Sequence, residues 1–203
     1  MFDWVLSVVE QAGYLGLLAL MFLENLFPPI PSELIMPLAG FLAAQGKMDP
    51  LLVVLTGTAG SVLGALPWYY AGRLLGRARL AGLAGRYGFL LTIDPPDVDR
   101  AYDWFRRYGG TAVLAGRLVP AIRTLISVPA GLTHMPLLPF LLLTTLGSLA
   151  WTAVLTGAGY ALESQYSRVE AYVDPISKAV IIAIAGLYLW RVGVRLLAAG
   201  RRG

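Results

Sequence analysis

The stretch Gly116-Arg117-Leu118-Val119-Pro120-Ala121-Ile122-Arg123-Thr124 decides how this chain reads. It interrupts residues 108–134, which are otherwise apolar. Proline has no backbone N–H and its ring clashes with the preceding turn, so a helix does not continue through Pro120. The halves on either side are each about a dozen residues, short of the roughly 20 that cross a bilayer. Broken backbone at membrane depth survives only when buried in protein or lining a polar cavity. The economical reading of 108–134 is a re-entrant hairpin with two arginines near its tip.

A second region has the same form. Residues 13–46 read as an apolar half, then Glu24-Asn25-Leu26-Phe27-Pro28-Pro29-Ile30-Pro31-Ser32-Glu33, then another apolar half. Pro28, Pro29 and Pro31 break this hairpin as Pro120 breaks the other. Full spans are expected over 50–72, 136–161 and 176–195. The first of these has 23 uncharged residues, Pro50 to Gly72.

Composition agrees with a membrane chain. The 203 residues are 57% hydrophobic and only 14% charged, with mean hydropathy +0.68. A soluble domain carries about 25% charged residues. The chain has no cysteine and one histidine, His134. That excludes disulfide frameworks, thiol nucleophiles and paired-histidine chemistry. No nucleotide-binding or serine-hydrolase motif occurs, and the N-terminus lacks a signal-peptide layout. No cofactor, no metal site and no nucleic-acid partner is expected.

Charge placement sets the expected orientation. Residues 73–107 hold seven arginines against four aspartates, and the tail from Arg191 is purely basic. The positive-inside rule puts both on the cytoplasmic side of the membrane. Within 73–107, Asp94-Pro95-Pro96-Asp97 reads as a helix start. Val98, Tyr102, Phe105 and Tyr108 would then form one apolar stripe on a surface helix, with Arg106 and Arg107 closing it.

The two halves echo each other. Pro37-Leu38-Ala39-Gly40 answers Pro129-Ala130-Gly131. Gly60-Ser61 precedes Ala71-Gly72 by the separation at which Gly147-Ser148 precedes Ala158-Gly159. By the charge rule the spans 50–72 and 136–161 run in opposite directions, so the repeats are inverted, which is a transporter layout. The expected fold is therefore an all-α polytopic membrane protein. It has two inverted repeats, each a re-entrant hairpin plus a span, and an extra C-terminal span.

Glu24, Glu33, Arg117 and Arg123 are the charges that topology does not explain. Each costs about 2.5–3.5 kcal/mol at a helix centre on insertion scales. They either pair across the hairpins and lock the fold, or serve transport. In the second case Arg117 and Arg123 hold a phosphate in bidentate fashion. Free backbone N–H groups at the hairpin tips would assist, and Glu24 and Glu33 would exchange protons. Asn25, Ser32, Thr124 and Ser127 flank these charges and read first as backbone caps. Tyr69 is a secondary candidate, and Gly57, Gly60 and Gly64 read as a helix-packing seam.

These residues resemble the DedA family, also called the SNARE-associated or VTT-domain superfamily. Gly116-Arg117-Leu118-Val119-Pro120-Ala121-Ile122-Arg123-Thr124, with Pro129-Ala130-Gly131 after it, is similar to that family's arginine signature. Glu24 to Glu33 resembles its acidic hairpin, and Gly64, Tyr69, Gly72 and Arg73 match a third motif. Ala65 stands where many members have an aspartate. The resemblance implies lipid transport, with Glu24, Glu33, Arg117 and Arg123 at the family's essential positions. Undecaprenyl phosphate is the first substrate implied, phosphatidylethanolamine or other phospholipids the alternative, and proton coupling is implied for some members. The partners implied are membrane lipids and protons, with a homo-oligomer left open. The function read from the chain is a non-enzymatic lipid flippase. A proton-coupled cation or drug antiporter, a lipid phosphatase and an assembly scaffold are the competing classes.

Overall fold

The computed structural model describes residues 2–26, 32–91, 95–120 and 122–162. The expected span 176–195 and the hairpin prolines Pro28, Pro29 and Pro31 lie outside the described residues. The described residues form six helices and no strand. These are α1 (Phe2–Leu26), α2 (Ser32–Ala44), α3 (Pro50–Leu91), α4 (Pro95–Arg117), α5 (Ser127–Leu132) and α6 (Leu137–Ala161).

Among the described residues, three stretches are long and apolar enough to cross a membrane: Trp4–Leu26, Pro50–Gly82 and Leu137–Ala161. The first of them contains Tyr14–Leu23, the expected first half of the hairpin 13–46. Its helix begins at Phe2 and bends at Gly13, where φ is 57° and ψ is −133°. Only glycine adopts that conformation without a steric penalty. Gly109 breaks α4 in the same way, with φ 48° and ψ −123°. By contrast α2 has 13 residues, about 20 Å at 1.5 Å per residue. That falls short of the roughly 30 Å hydrocarbon core.

Helix starts and stops follow from local chemistry. Asp49 caps α3: its Oδ1 accepts from the Leu52 N–H at 2.9 Å, and Pro50 occupies the first helical position. The Asp49 N–H donates to the Tyr14 hydroxyl at 2.8 Å, and Lys47 pairs with Glu10 at 2.9 Å. These contacts hold the turn before α3 against α1. The ends of α2 and α5 share one motif. At α2, Lys47 N–H reaches Leu42 O and Gly46 N–H reaches Ala43 O, with Gly46 at φ 73°. At α5, Met135 N–H reaches Ala130 O and His134 N–H reaches Gly131 O, with His134 at φ 56°. Both are left-handed helix terminators that satisfy orphan carbonyls. The chain's single histidine therefore sits where glycine sits in the other half.

Packing crosses between the halves. Gly60 and Gly64 of α3 lie against α1, at Leu18, Met21, Phe22 and Asn25. Gly147 of α6 lies against Arg117 at the end of α4. In turn α2 packs on α6, where Gly40 meets the Thr156 backbone and Gly159 meets the Pro37 backbone. Similarly α5 packs on α3, where Gly131 meets the Tyr69 backbone and Gly72 meets the Val128 backbone. Small residues permit this approach, and in lipid close contact is the main force between helices.

Residues 73–107 carry two helical segments where the sequence suggested one. Helix α3 continues past a break at Gly76 (φ 65°) to Leu91, and α4 starts at Pro95. Arg77 ties the two together, bonding Asp99 at 2.6 Å with its guanidinium 5.0 Å from the Tyr102 ring centroid. Phe105 is buried, but Tyr108 is exposed and rests on Trp104 at 5.3 Å. The stripe thus loses Tyr108 at the Gly109 break.

Two outcomes check this packing. Gly131→Leu forces a side chain into the Tyr69 backbone and should lower stability by about 1–3 kcal/mol, read as a drop in Tm of the detergent-solubilised protein. His134→Gly relieves a left-handed non-glycine residue and should raise stability by up to about 1 kcal/mol, read as a rise in Tm.

Candidate functional site

Five of the flanking and charged residues converge in one buried cluster. Glu24 and Asn25 occupy the last turn of α1, Arg117 ends α4, Arg123 lies in the turns after it, and Ser127 opens α5. The glycine seam of α3 brings the end of α1 inward, since Gly64 lies against Asn25. Gly147 does the same for Arg117. Trp68 of α3 donates its indole N–H to the Asn25 carbonyl at 2.9 Å, satisfying a carbonyl that the end of α1 leaves orphaned.

The polar groups form a continuous chain. Arg123 Nη2 is ion-paired with Glu24 Oε1. Asn25 Nδ2 donates to Glu24 Oε2 at 3.1 Å and to Met21 O at 3.2 Å. Arg117 Nη1 donates to Asn25 Oδ1 at 3.2 Å, and Arg117 Nη2 to Ser127 Oγ at 2.8 Å. Arg117 is only 2% exposed, and among the described residues it forms no ion pair. Its Nε–H has no hydrogen-bond partner there. A guanidinium has five donors in a planar fork, and here two go to neutral oxygens. With the three side chains ionised, one carboxylate faces two guanidiniums and one positive charge is left over.

The sequence-derived site is thus partly assembled. Glu24, Arg117 and Arg123 meet. Thr124 is buried in the same turns, and Ser32 is buried at the start of α2, where Trp151 Nε1 reaches its hydroxyl at 3.3 Å. Glu33 is exposed on the first turn of α2 and pairs with neither arginine. Tyr69 stands apart: its hydroxyl donates to Met135 O at 2.5 Å and accepts from Arg73 at 2.6 Å, and its ring stacks on Phe140 at 4.5 Å. Asn25, read first as a cap, is the bridge between Glu24 and Arg117.

Pro120 lies in the irregular turns, as a helix breaker should. The expected free amides at this tip are largely spent. The N–H groups of Leu118, Val119, Ile122, Arg123 and Ile126 all donate to nearby carbonyls.

Residues 30–161 match the VTT domain. The chain belongs to the VTT-domain, or DedA, family. Among VTT-domain relatives, undecaprenyl phosphate transporter A of Staphylococcus aureus is 31% identical over 186 residues, covering 91% of this chain and 92% of that one. The Bacillus subtilis protein of the same name is 30% identical over 185 residues, 89% of each chain. An alkaline phosphatase-like protein of Lactococcus lactis subsp. cremoris is 42% identical over 184 residues, 90% of this chain and 86% of that one. No solved structure matches. Together with the apolar helices, the membrane-protein relatives make this VTT-domain chain a multi-pass membrane protein.

The Glu24–Arg123 pair yields a thermodynamic cycle. Glu24→Ala or Arg123→Ala alone strands a buried charge and should cost about 3–5 kcal/mol. The double variant should lose less than the two losses summed, by about 0.5–3 kcal/mol. Thermal unfolding in detergent measures all four corners.

Proposed function

We propose that this protein carries a lipid phosphate headgroup across the bilayer, with undecaprenyl phosphate as its substrate. The observation that carries the proposal is the Arg117 guanidinium: buried, without a carboxylate partner among the described residues, and with an unused Nε–H. A phosphate oxygen is the acceptor such a fork suits. The names of the Staphylococcus and Bacillus relatives support the same substrate. A phospholipid headgroup offers the same phosphate chemistry, and the assay below separates the two.

In this reading the chain is an inverted repeat. The exchanged packing of α2 on α6 and α5 on α3 supports it, as do the matched breaks at Gly13 and Gly109 and the matched terminators at Gly46 and His134. Regions 13–46 and 108–134 enter and leave on one side, which fits the short length of α2. Residues 73–107 face the cytoplasm of an inner membrane. Glu24 competes with the headgroup for Arg123. Protonating Glu24 releases Arg123 and raises the pull on the anion; losing that proton recloses the pair and expels it. Glu33, exposed nearby, is the second acid in this exchange. No bond of the lipid is broken, so the protein is a carrier without enzymatic activity. Among the described residues no group of three His, Cys, Asp or Glu stands close enough to hold a metal.

The test uses proteoliposomes with either a fluorescent phospholipid or a fluorescent polyprenyl phosphate. Arg117→Ala should cut translocation of the true substrate at least tenfold, and Arg117→Lys should restore only part, because a point charge lacks the fork. A folded Arg117→Ala protein that translocates both lipids at the wild-type rate would sink the proposal.

A further inference from the structure

The face of α6 that packs on α3 and α2 carries a row of buried hydroxyl groups. On α6, Thr144, Ser148, Thr152 and Thr156 recur every four residues, and all four are buried. They lie along about 18 Å of helix at 1.5 Å per residue. On α3, Thr58 and Ser61 are buried on the facing side. Thr58 and Thr152 bond across the seam at 2.9 Å. Ser61 lies on the face between Thr58 and Ala65, and Ala65 packs in one cluster with Phe140 of α6.

Three of these hydroxyls are unpartnered. Ser61 Oγ, Thr144 Oγ1 and Thr156 Oγ1 have no hydrogen-bond partner among the described residues. Their residues are 2%, 0% and 2% exposed. A serine or threonine in a helix usually bonds back to the carbonyl four residues earlier; Thr58 does so, to Val54 at 2.8 Å. Buried hydroxyls that decline this option and meet no other protein atom are satisfied by ordered water. The fourth unpartnered buried atom is Arg117 Nε. It belongs to the same place in the fold, because Arg117 lies on Gly147 next to Ser148.

The row has two unlike ends. Four residues before Thr144 stands Phe140, fully buried and stacked on the fully buried Tyr69. The Tyr69 hydroxyl is itself taken by Met135 and Arg73. That end is closed by rings. Four residues after Thr156 stands Tyr160, 49% exposed, close to the end of α6.

We propose that the face of α6 packed on α3 and α2 holds a single file of water running from the Glu24–Arg117–Arg123 cluster to the end of α6, blocked on the other side by the Tyr69–Phe140 stack. The file gives protons access to Glu24 from one face only. No titratable residue lies on α3 between Pro50 and Tyr69 or anywhere on α6 except Tyr160. The charged groups that the file meets are Glu24, Arg123 and Arg117, with Glu33 at the start of α2. Hydroxyls donate and accept, so a row of them orders water without binding an ion of its own. The hydration itself does not depend on which lipid is carried; its protonic use rests on the role proposed for Glu24.

The absence of native cysteine gives a clean test. Ser61→Cys, Thr144→Cys and Thr156→Cys are compared with Val53→Cys and Ile35→Cys, whose parent residues are buried among apolar side chains. Full-length protein in vesicles is exposed to Ag+, then denatured and labelled with a fluorescent maleimide. The seam cysteines should lose maleimide labelling and the two controls should keep it. Silver should reach Thr144→Cys from one face of the vesicle, and from both once Phe140→Ala is added. Full maleimide labelling of all the seam cysteines in folded protein would show a dry seam and overturn the proposal. The protonic role is read by acid-jump with a trapped pH dye. Thr152→Val should slow proton uptake at least tenfold while lipid translocation without a gradient is kept. Uptake at the wild-type rate, or no uptake by the wild-type protein, overturns the protonic role and leaves the lipid reading standing.

Discussion

A guanidinium withdrawn from water has to be answered by something, and the rest of the site is arranged around that requirement. Arg123 is answered by a carboxylate. Arg117 is answered by two neutral oxygens, from Asn25 and Ser127. The difference matters because a charge balanced by its own partner is inert, whereas one held by dipoles keeps its field for a ligand. Every element that ends near the cluster ends there to supply one of these atoms. The last turn of α1 brings Glu24 and Asn25, the last residue of α4 is Arg117, and the first residue of α5 is Ser127. The polar groups at these helix ends are spent on one another, on Trp68 and on Trp151.

Much of this was legible in the sequence, because charge in an apolar run is costly and so is placed with purpose. Glu24, Arg117 and Arg123 stand out on that ground alone, and the glycines of α3 stand out by spacing. The reading failed where the decisive quantity was geometric. Asn25 is uncharged, so nothing in its cost marked it, yet it bridges the two charged groups. Glu33 has the charge but is exposed on the first turn of α2, and the face a helical residue takes cannot be counted from the sequence across Pro28, Pro29 and Pro31. The free amides expected near Pro120 are consumed by turns, whose hydrogen bonds depend on backbone angles that side-chain identity does not fix.

The same contrast holds for packing. The echoes Pro37 to Gly40 and Pro129 to Gly131 were visible as words, but their partners were not. The structure seats each on the span of the other half, glycine against backbone. Such contacts carry no sequence periodicity of their own, since one small residue at a crossing point is enough. The i, i+4 hydroxyls of α6 were equally visible and equally mute until their burial was known.

That exchange of partners also sets an order in time. Helix α2 is too short to cross a bilayer and finds its neighbour in α6, which is made much later. At about 5–20 residues per second, synthesis leaves α2 without its neighbour for seconds. During that interval α2 has only α1 and α3 to pack on. The two halves complete each other's packing only once α6 has been made.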